Sequence, residues 1–342
     1  MPRASTYIAL TAAAALALGL AGCSPAADTS ASNDTAASGD TITIEHAFGE
    51  TVIEGKPERV ATVAWENQEV PLALGVVPVG MAKATWGDDD TDGLLPWVKD
   101  KLDELEAETP VLFDETDGID FEGVADTNPD VILAGYSGLT QEDYDTLSEI
   151  APVVAYPEVA WGTSWQDTIT QNAAGMGLAA EGEELIAELE TEIADTAAEY
   201  PALADTSVMF LTHVDEADLS QVSFYTTHDT RTMFFDDLGM QSAPSIIEAS
   251  KATEEYSLTQ SAEQADAFND VDVIVTYGGD ELIATLEGDP LLSQIPAVAN
   301  KSVVALSGNG PMGTAANPTA LSISYVLGEY TELLAAAADN AE

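Results

Sequence analysis

The chain has 342 residues, with 61 Asp and Glu against nine Lys and Arg, a formal net charge of −52, and a single cysteine. Phosphate binding needs a basic surface, so nucleic acid is excluded as a partner, and anionic membrane surfaces would repel the body of the protein. One cysteine rules out an internal disulfide, while 46% hydrophobic content over this length gives enough apolar side chains for two cores.

The first segment carries one basic residue, Arg3, before an apolar run from Tyr7 to Leu20 that is too short to span a bilayer comfortably. Residues 1–22 therefore read as a signal peptide. The run closes on Leu20-Ala21-Gly22-Cys23, which resembles a bacterial lipobox, so Cys23 is expected to carry a lipid and to be the only membrane contact. Residues 23–40 are rich in Ala, Ser, Thr and Asp and lack large apolar side chains. They read as a flexible tether reaching about 20–25 Å.

Thr41 to Val52 alternates around Phe48-Gly49-Glu50 and predicts a hairpin. A strand from Val60 to Ala64, a helix from about Glu66 to Leu74 and a strand from Val76 to Met81 follow. Ala82 to Leu95 reads as a polar loop and Val111 to Phe113 as a short strand. Thr140 with Asp143 is a capping-box signal for a helix reaching about Glu149, and Val153 to Tyr156 closes a first lobe over residues 41–163. From Trp165 to Tyr200 the spacing of residues such as Leu185, Ile186, Leu189 and Ile193 is that of amphipathic helices, predicting a stiff connector over residues 164–200. The second lobe, residues 201–342, is expected to contain strands Val208 to Thr212, Val222 to Tyr225, Val273 to Tyr277 and Val303 to Leu306. Asn317-Pro318 reads as an N-cap and first helical residue opening a terminal helix to about Ala338.

An internal repeat relates the lobes. Glu122, Asn128, the strand Val131 to Ala134, Tyr136 and Gly138 are echoed by Glu263, Asn269, the strand Val273 to Val275, Tyr277 and Gly279. Parallel α/β sheets bind ligands outside the carboxyl ends of their strands, which puts Tyr136 and Tyr277 at a ligand-facing edge. The helix before each strand runs back along it, so Glu122 and Glu263 are expected on the same rim. Such a pair of lobes suggests a binding protein that closes on a ligand and shows two carboxylates to a partner.

Other candidates for the cleft are Trp65, just after the first strand, and Trp86 in the polar loop, because a Trp in a loop is uncommon unless it binds something. Trp161 and Trp165 flank the connector, where packing against a hinge is an equal reading. Tyr225 and Arg231 share the stretch Tyr225-Thr226-Thr227-His228-Asp229-Thr230-Arg231. Arg231, the only arginine of the second lobe, can donate to ligand oxygens or pair with Asp229. Asp88, Asp90, Asp92 and Gly93 fit half a calcium loop, but Lys99 stands where a bidentate Glu is needed, so they read as a solvated turn. Gly308-Asn309-Gly310-Pro311-Met312-Gly313 matches a dinucleotide fingerprint, yet Pro311 and the expected delay to a helix at Pro318 make it a cleft loop. His46, His213 and His228 have no metal-ligand spacing, and no nucleophile is paired with a base, so an enzyme is not expected.

Five short stretches in order, Pro57-Glu58-Arg59-Val60, Asn128 through Leu139, Ile150-Ala151-Pro152-Val153-Val154, Asp289-Pro290-Leu291-Leu292 and Leu321-Ser322-Ile323-Ser324, resemble the substrate-binding lipoproteins of iron-siderophore ABC importers. These are similar in fold to the ferrichrome- and vitamin B12-binding periplasmic proteins. The resemblance implies an α/β fold of two Rossmann-like lobes joined by a long rigid connecting helix. It also implies a cleft aromatic at Tyr136, and Glu122 and Glu263 docking into arginine pockets of a membrane-embedded permease.

The expected ligand is a ferric siderophore, held by Trp65, Trp86, Tyr136, Tyr225, Arg231 and Tyr277, with no cofactor because iron arrives already wrapped. A monomer is expected. Ferrichrome binders often carry an arginine shortly before the first rim Glu, whereas Phe113 to Asp120 offers Asp114, Glu115, Asp117 and Asp120. That favours a neutral or cationic hydroxamate complex over a trianionic catecholate. The alternative is haem, with Tyr136 or Tyr277 and His213 or His228 as axial ligands.

Overall fold

A computed structural model describes residues 41–341; the signal peptide, Cys23 and the tether expected before them lie outside the described residues. The first lobe opens with the antiparallel hairpin β1 (Thr41–His46) and β2 (Gly49–Glu54), as the alternation predicts. Next come β3 (Val60–Thr62), α1 (Glu69–Ala73), β4 (Gly80–Ala82), α2 (Pro96–Glu104), β5 (Val111–Phe113), α3 (Phe121–Asp126), β6 (Val131–Ala134), α4 (Gln141–Ser148) and β7 (Val153–Ala155). The five strands form a parallel sheet in the order β5-β4-β3-β6-β7. The capping box of Thr140 and Asp143 is formed and sets the start of α4.

Several expected elements are shorter than predicted, two of them markedly. The helix expected from Glu66 begins only at Glu69, because Ala64 and Glu66 take left-handed φ of 61° and turn the chain sharply after β3. The strand expected from Val76 keeps only Gly80–Ala82. Helix α2, opened by Pro96 at its first position, has no counterpart in the sequence reading.

Helix α5 (Trp165–Gly175) packs on β1, β6, β7 and α1 and so belongs to the first lobe. After the break at residues 176–178, α6 (Ala179–Ala198) runs about 30 Å and is the connector proper. The second lobe holds β8 (Ser207–Phe210), β9 (Gln221–Tyr225), α7 (Thr230–Asp237), β10 (Gln241–Ser242), α8 (Pro244–Ser250) and β11 (Ser257–Ser261). It continues through β12 (Val273–Tyr277), α9 (Asp280–Gly288), α10 (Pro296–Ala299), β13 (Val303–Leu306), α11 (Pro311–Ala315) and α12 (Ser322–Ala341). Its parallel sheet has the order β10-β8-β12-β13, and β9 and β11 form a separate antiparallel ribbon.

The repeat is real but uneven. β6 and β12 are both fully buried, whereas the segment before β12 is a kinked 3-10 turn, Ala262–Phe268, where the first lobe has the α-helix α3.

The terminal helix starts at Ser322 instead of Pro318. Thr319 and Ser322 exchange hydrogen bonds, each hydroxyl accepting from the other's backbone N–H at 3.2 and 3.0 Å, and this reciprocal cap sets the start. The glycine-rich stretch also differs from expectation, since α11 begins within it at Pro311.

One apolar cluster runs through both lobes. It passes from Val60, Leu72 and Trp97 through Trp165, Ile169, Leu189 and Ile193 to Phe210, Phe234 and Tyr330. Trp165 donates Nε1–H to Asp237 at 2.9 Å, tying α5 to α7, so the hinge-packing reading holds for this Trp. Glu69 adds a polar tie: its carboxylate accepts from Trp97 Nε1 at 2.6 Å, from Leu321 N at 3.1 Å and from the Thr319 hydroxyl. A shared core with such crossings favours small relative motion of the lobes.

Candidate ligand-binding site

Strand order changes direction in each sheet, and ligands of open α/β sheets sit outside the carboxyl ends at that crevice. In the first lobe the reversal lies between β3 and β6, whose carboxyl ends lead to Trp65 and Tyr136. Asn67 locks the two ends together: its amide donates to the carbonyls of Val63 and Tyr136 at 2.8 Å each and accepts from Tyr136 N at 3.0 Å. In the second lobe the reversal lies between β8 and β12, which lead to His213 and Tyr277. These two rings stack at 4.7 Å.

Between the lobes lies a cavity of about 350 Å³ lined by Trp65, Trp86, Tyr136, Trp161, Tyr225, Asp229, Arg231, Tyr256 and Asn317. Five of the six residues expected to hold the ligand are among these. The sixth, Tyr277, stands behind Arg231 and positions it, its hydroxyl accepting from Arg231 Nε at 2.7 Å.

Both readings of Arg231 hold at once. Its Nη1 donates to the two Asp229 oxygens at 3.0 and 2.9 Å, its Cζ lies 4.4 Å from the Tyr225 ring centre, and Nη2 has no partner among the described residues. Burial works against the charge of this guanidinium. Asp229 and the hydroxyls of Tyr277, Tyr225 and Tyr136 more than restore it, so its pKa stands well above the ordinary value. Arg231 thus offers a fixed, charged donor at the cleft, held on an aromatic face.

Tyr136 is buried. Its hydroxyl accepts from Asn317 Nδ2 at 3.3 Å, its ring meets Trp161 edge-on at 5.3 Å, and burial pushes its pKa up to about 12. Burial also raises the Tyr225 and Tyr277 phenols. All three are neutral donors or acceptors in the physiological range.

Trp161, the residue with two equal readings, stands in the cleft. Its backbone is left-handed, φ 60°, and a Cβ on Gly138 would lie 2.2 Å from its Nε1, so only glycine admits the ring there. Trp86 crosses to the second lobe, meeting His213 edge-on at 5.4 Å.

Sequence reasoning named His213 only for the haem alternative, read Asn317 only as a helix cap, and passed over Tyr256. A signal existed for His213, which is the third residue after β8 as Trp65 is the third after β3. None existed for Asn317, whose cap-like setting before a proline pointed elsewhere.

A second cavity, also about 350 Å³, adjoins the first through Trp65 and Trp161 and is lined by Glu66, Gln68, Lys83, Glu115, Ile119, Leu139 and Asp143 among others. Of the four acids expected near the cleft, only Glu115 lines this cavity. Asp120 caps α3 at 2.9 Å from Gly123 N, and Asp114 turns back on Thr116. Burial raises Glu115 to about 7.

Glu122 and Glu263 lie exposed in the first turn of the segments preceding β6 and β12, and neither carboxylate has a partner among the described residues. Asp88 is spent on its own turn, accepting from Thr91 N and Gly93 N at 2.7 Å each, while Asp90 and Asp92 both pair with Lys99 at 2.5 Å.

The haem alternative is not favoured. His228 Nε2 sits 3.2 and 3.0 Å from the carbonyls of Ser250 and Thr253, so it carries a proton and has no lone pair for iron. The hydroxyls of Tyr136 and Tyr277 are engaged with Asn317 and Arg231, and burial holds both phenols protonated.

Two α/β lobes on a shared core, with an aromatic cleft between strand ends, have the architecture of a binding protein. The chain belongs to the periplasmic binding protein family, whose profile matches residues 60–309. It is 43% identical to PiaA of Streptococcus pneumoniae TIGR4, solved in complex with ferrichrome. That likeness covers 88% of this chain and all of the other, with a TM-score of 0.84. It is 26% identical over 249 residues to the probable siderophore-binding lipoprotein YfiY of Bacillus subtilis strain 168, covering 72% of this chain and 71% of that one. It is 25% identical over 276 residues to the ferric enterobactin-binding periplasmic protein FepB of Escherichia coli O6:H1, covering 75% and 81%. No helix of the described residues is long and apolar enough to cross a membrane.

Proposed function

We propose that this protein captures a ferric siderophore of the hydroxamate class and delivers it to the permease of an ABC importer. The observation that carries the reading is the interlobe cavity of aromatic rings around one arginine. A ferric siderophore brings its iron fully wrapped, so its receptor needs flat apolar walls and a few donors to the outer oxygens. The four aromatic rings of Trp65, Trp86, Trp161 and Tyr225 supply the walls, and Arg231 Nη2 supplies a donor.

Charge selects the class. Asp229 already offsets Arg231, leaving the cavity without the net positive charge that a trianionic ferric catecholate would need. A neutral ferric hydroxamate carries no such requirement, in keeping with the ferrichrome held by the similar PiaA.

Titrating the protein with ferrichrome, a ferric catecholate and haemin, followed by quenching of tryptophan fluorescence, tests this. Quenching by ferrichrome alone is expected. A response to the catecholate alone would overturn the charge argument, and a Soret band with haemin alone would overturn the siderophore reading.

Delivery is assigned to Glu122 and Glu263, two exposed first-turn carboxylates at corresponding places in the lobes. Reversing both to Lys should abolish siderophore uptake by cells and leave affinity for ferrichrome unchanged. Lost affinity would refute the division of roles. The protein would act as a monomer at the outer face of the membrane, held by lipid on Cys23, and without catalysis.

A further inference from the structure

The second cavity has a chemistry of its own. Glu66, Gln68 and Glu115 line it, and they carry four buried oxygens that accept no hydrogen bond among the described residues: both carboxylate oxygens of Glu66, Oε1 of Gln68 and Oε1 of Glu115. Glu66 and Gln68 are each only 5% exposed. The remaining Glu115 oxygen accepts from Ala64 N at 2.9 Å, and the Asp143 carboxylate in the same wall is engaged with Thr140. Lys83 also lines the cavity but forms no ion pair within 4 Å among the described residues.

Buried acceptors are almost always paired, so four orphans on residues that line one cavity describe a missing partner. It must donate hydrogen bonds, and a cation suits the site best, because its charge would draw Glu66 and Glu115, whose carboxyls burial otherwise keeps toward the protonated form, into the carboxylate form. The apolar lining of Trp65, Ile119, Leu139 and Trp161 suits a methylene chain. Because Trp65 and Trp161 also border the aromatic cavity, one ligand can occupy both.

We infer that this compartment is a subsite for the protonated primary amine and alkyl tail of a linear ferric trihydroxamate, whose iron-bearing core sits in the aromatic cavity. The inference rests on the hydroxamate reading above. It makes Glu66 and Glu115 specificity-determining residues: they discriminate among hydroxamates by the tail and leave the ferric core to the aromatic walls and Arg231.

The test uses three probes on the soluble protein: ferrioxamine B, which ends in an ammonium; N-acetylated ferrioxamine B, which is neutral but otherwise alike; and ferrichrome, which has no such tail. The wild-type protein should bind ferrioxamine B about tenfold more tightly than its acetylated form, as a charge-assisted hydrogen bond to a buried carboxylate would give. In the Glu66→Gln/Glu115→Gln variant that ratio should fall to near one, while ferrichrome binding reports that the variant is folded.

Equal binding of the two ferrioxamines by the wild-type protein would overturn the subsite, and the orphan oxygens would then be satisfied by water or by Lys83. So would a ratio that survives in the variant. If none of the three probes binds, the hydroxamate reading itself fails and the subsite falls with it, a result distinct from binding without discrimination.

Discussion

At the scale of single residues, the cleft depends on an ion pair that serves structure and recognition together. The side chains of Asp229 and Arg231 are 2% and 17% exposed, and Asp229 also caps α7 by accepting from Arg231 N. Removing one partner of a buried pair leaves a charge that neither water nor protein satisfies. Arg231→Met should therefore lower stability by about 3–5 kcal/mol in denaturant unfolding, besides weakening ligand binding. Asn can keep the cap without the charge. The Asp229→Asn/Arg231→Met double variant should accordingly recover part of the stability but none of the affinity. If the single variant were as stable as the wild type, the pair would contribute nothing structural.

This scale also shows what could be read from the chain. Trp65, Tyr136 and Tyr277 follow from a general property of parallel sheets, because strand ends are visible as apolar runs. Trp161 does not, since its place depends on a left-handed turn, a hydrogen bond from its N–H to Ser137 O at 3.0 Å, and the space over Gly138.

At the scale of elements, the loop between β4 and α2 is one of the pieces of the first lobe that reach the second. Trp86 meets His213, and Gly87, at φ +75°, approaches α11 so closely that a Cβ would lie 2.1 Å from Thr314 Oγ1. In sequence this stretch was only a polar loop with a Trp, because its partners lie more than a hundred residues away.

An Ala at position 87 adds both a contact that Thr314 must yield to and a left-handed penalty of about 1–2 kcal/mol. Withdrawal of the loop relieves both. Gly87→Ala should thus release ferrichrome faster in stopped-flow fluorescence, with little change in association. An unchanged dissociation rate alongside a lowered melting temperature would make the contact purely structural.

The same scale explains the misplaced terminal helix. Asn followed by Pro is a sound cap signal, but the pair Thr319 and Ser322 supplies a reciprocal cap, and Asn317 is released to the cleft. Local signals two residues apart competed, and tertiary contacts of Asn317 decided between them.

At the scale of the molecule, the lobes were legible because each repeats one buried strand. The shared core was not, since the faces of α6 and α12 that meet are set by packing. What composition does dictate is self-repulsion: 61 acids against nine bases.

Buried carboxyls act in the same sense. Burial raises Glu69 and Glu115 to about 7 from 4.5, and raises Glu66 well above its ordinary value with Glu69 adding to the effect. Between about pH 4.5 and 7 these groups bind more protons in the folded than in the unfolded state, so stability falls as pH rises through that window. The melting temperature should be higher at pH 5.5 than at pH 8.

Salt separates the two contributions. Surface repulsion is screened beyond roughly 8 Å at physiological ionic strength, whereas buried groups are screened much less. Adding salt at pH 8 should raise the melting temperature, and the pH dependence that persists at high salt should belong to the interior. Glu69 accepts from Trp97, Leu321 and Thr319, and so links α1 of the first lobe to the start of the terminal helix in the second. A melting temperature that rises with pH at high salt would mean that these three hydrogen bonds outweigh burial and that the carboxylate form holds the lobes together.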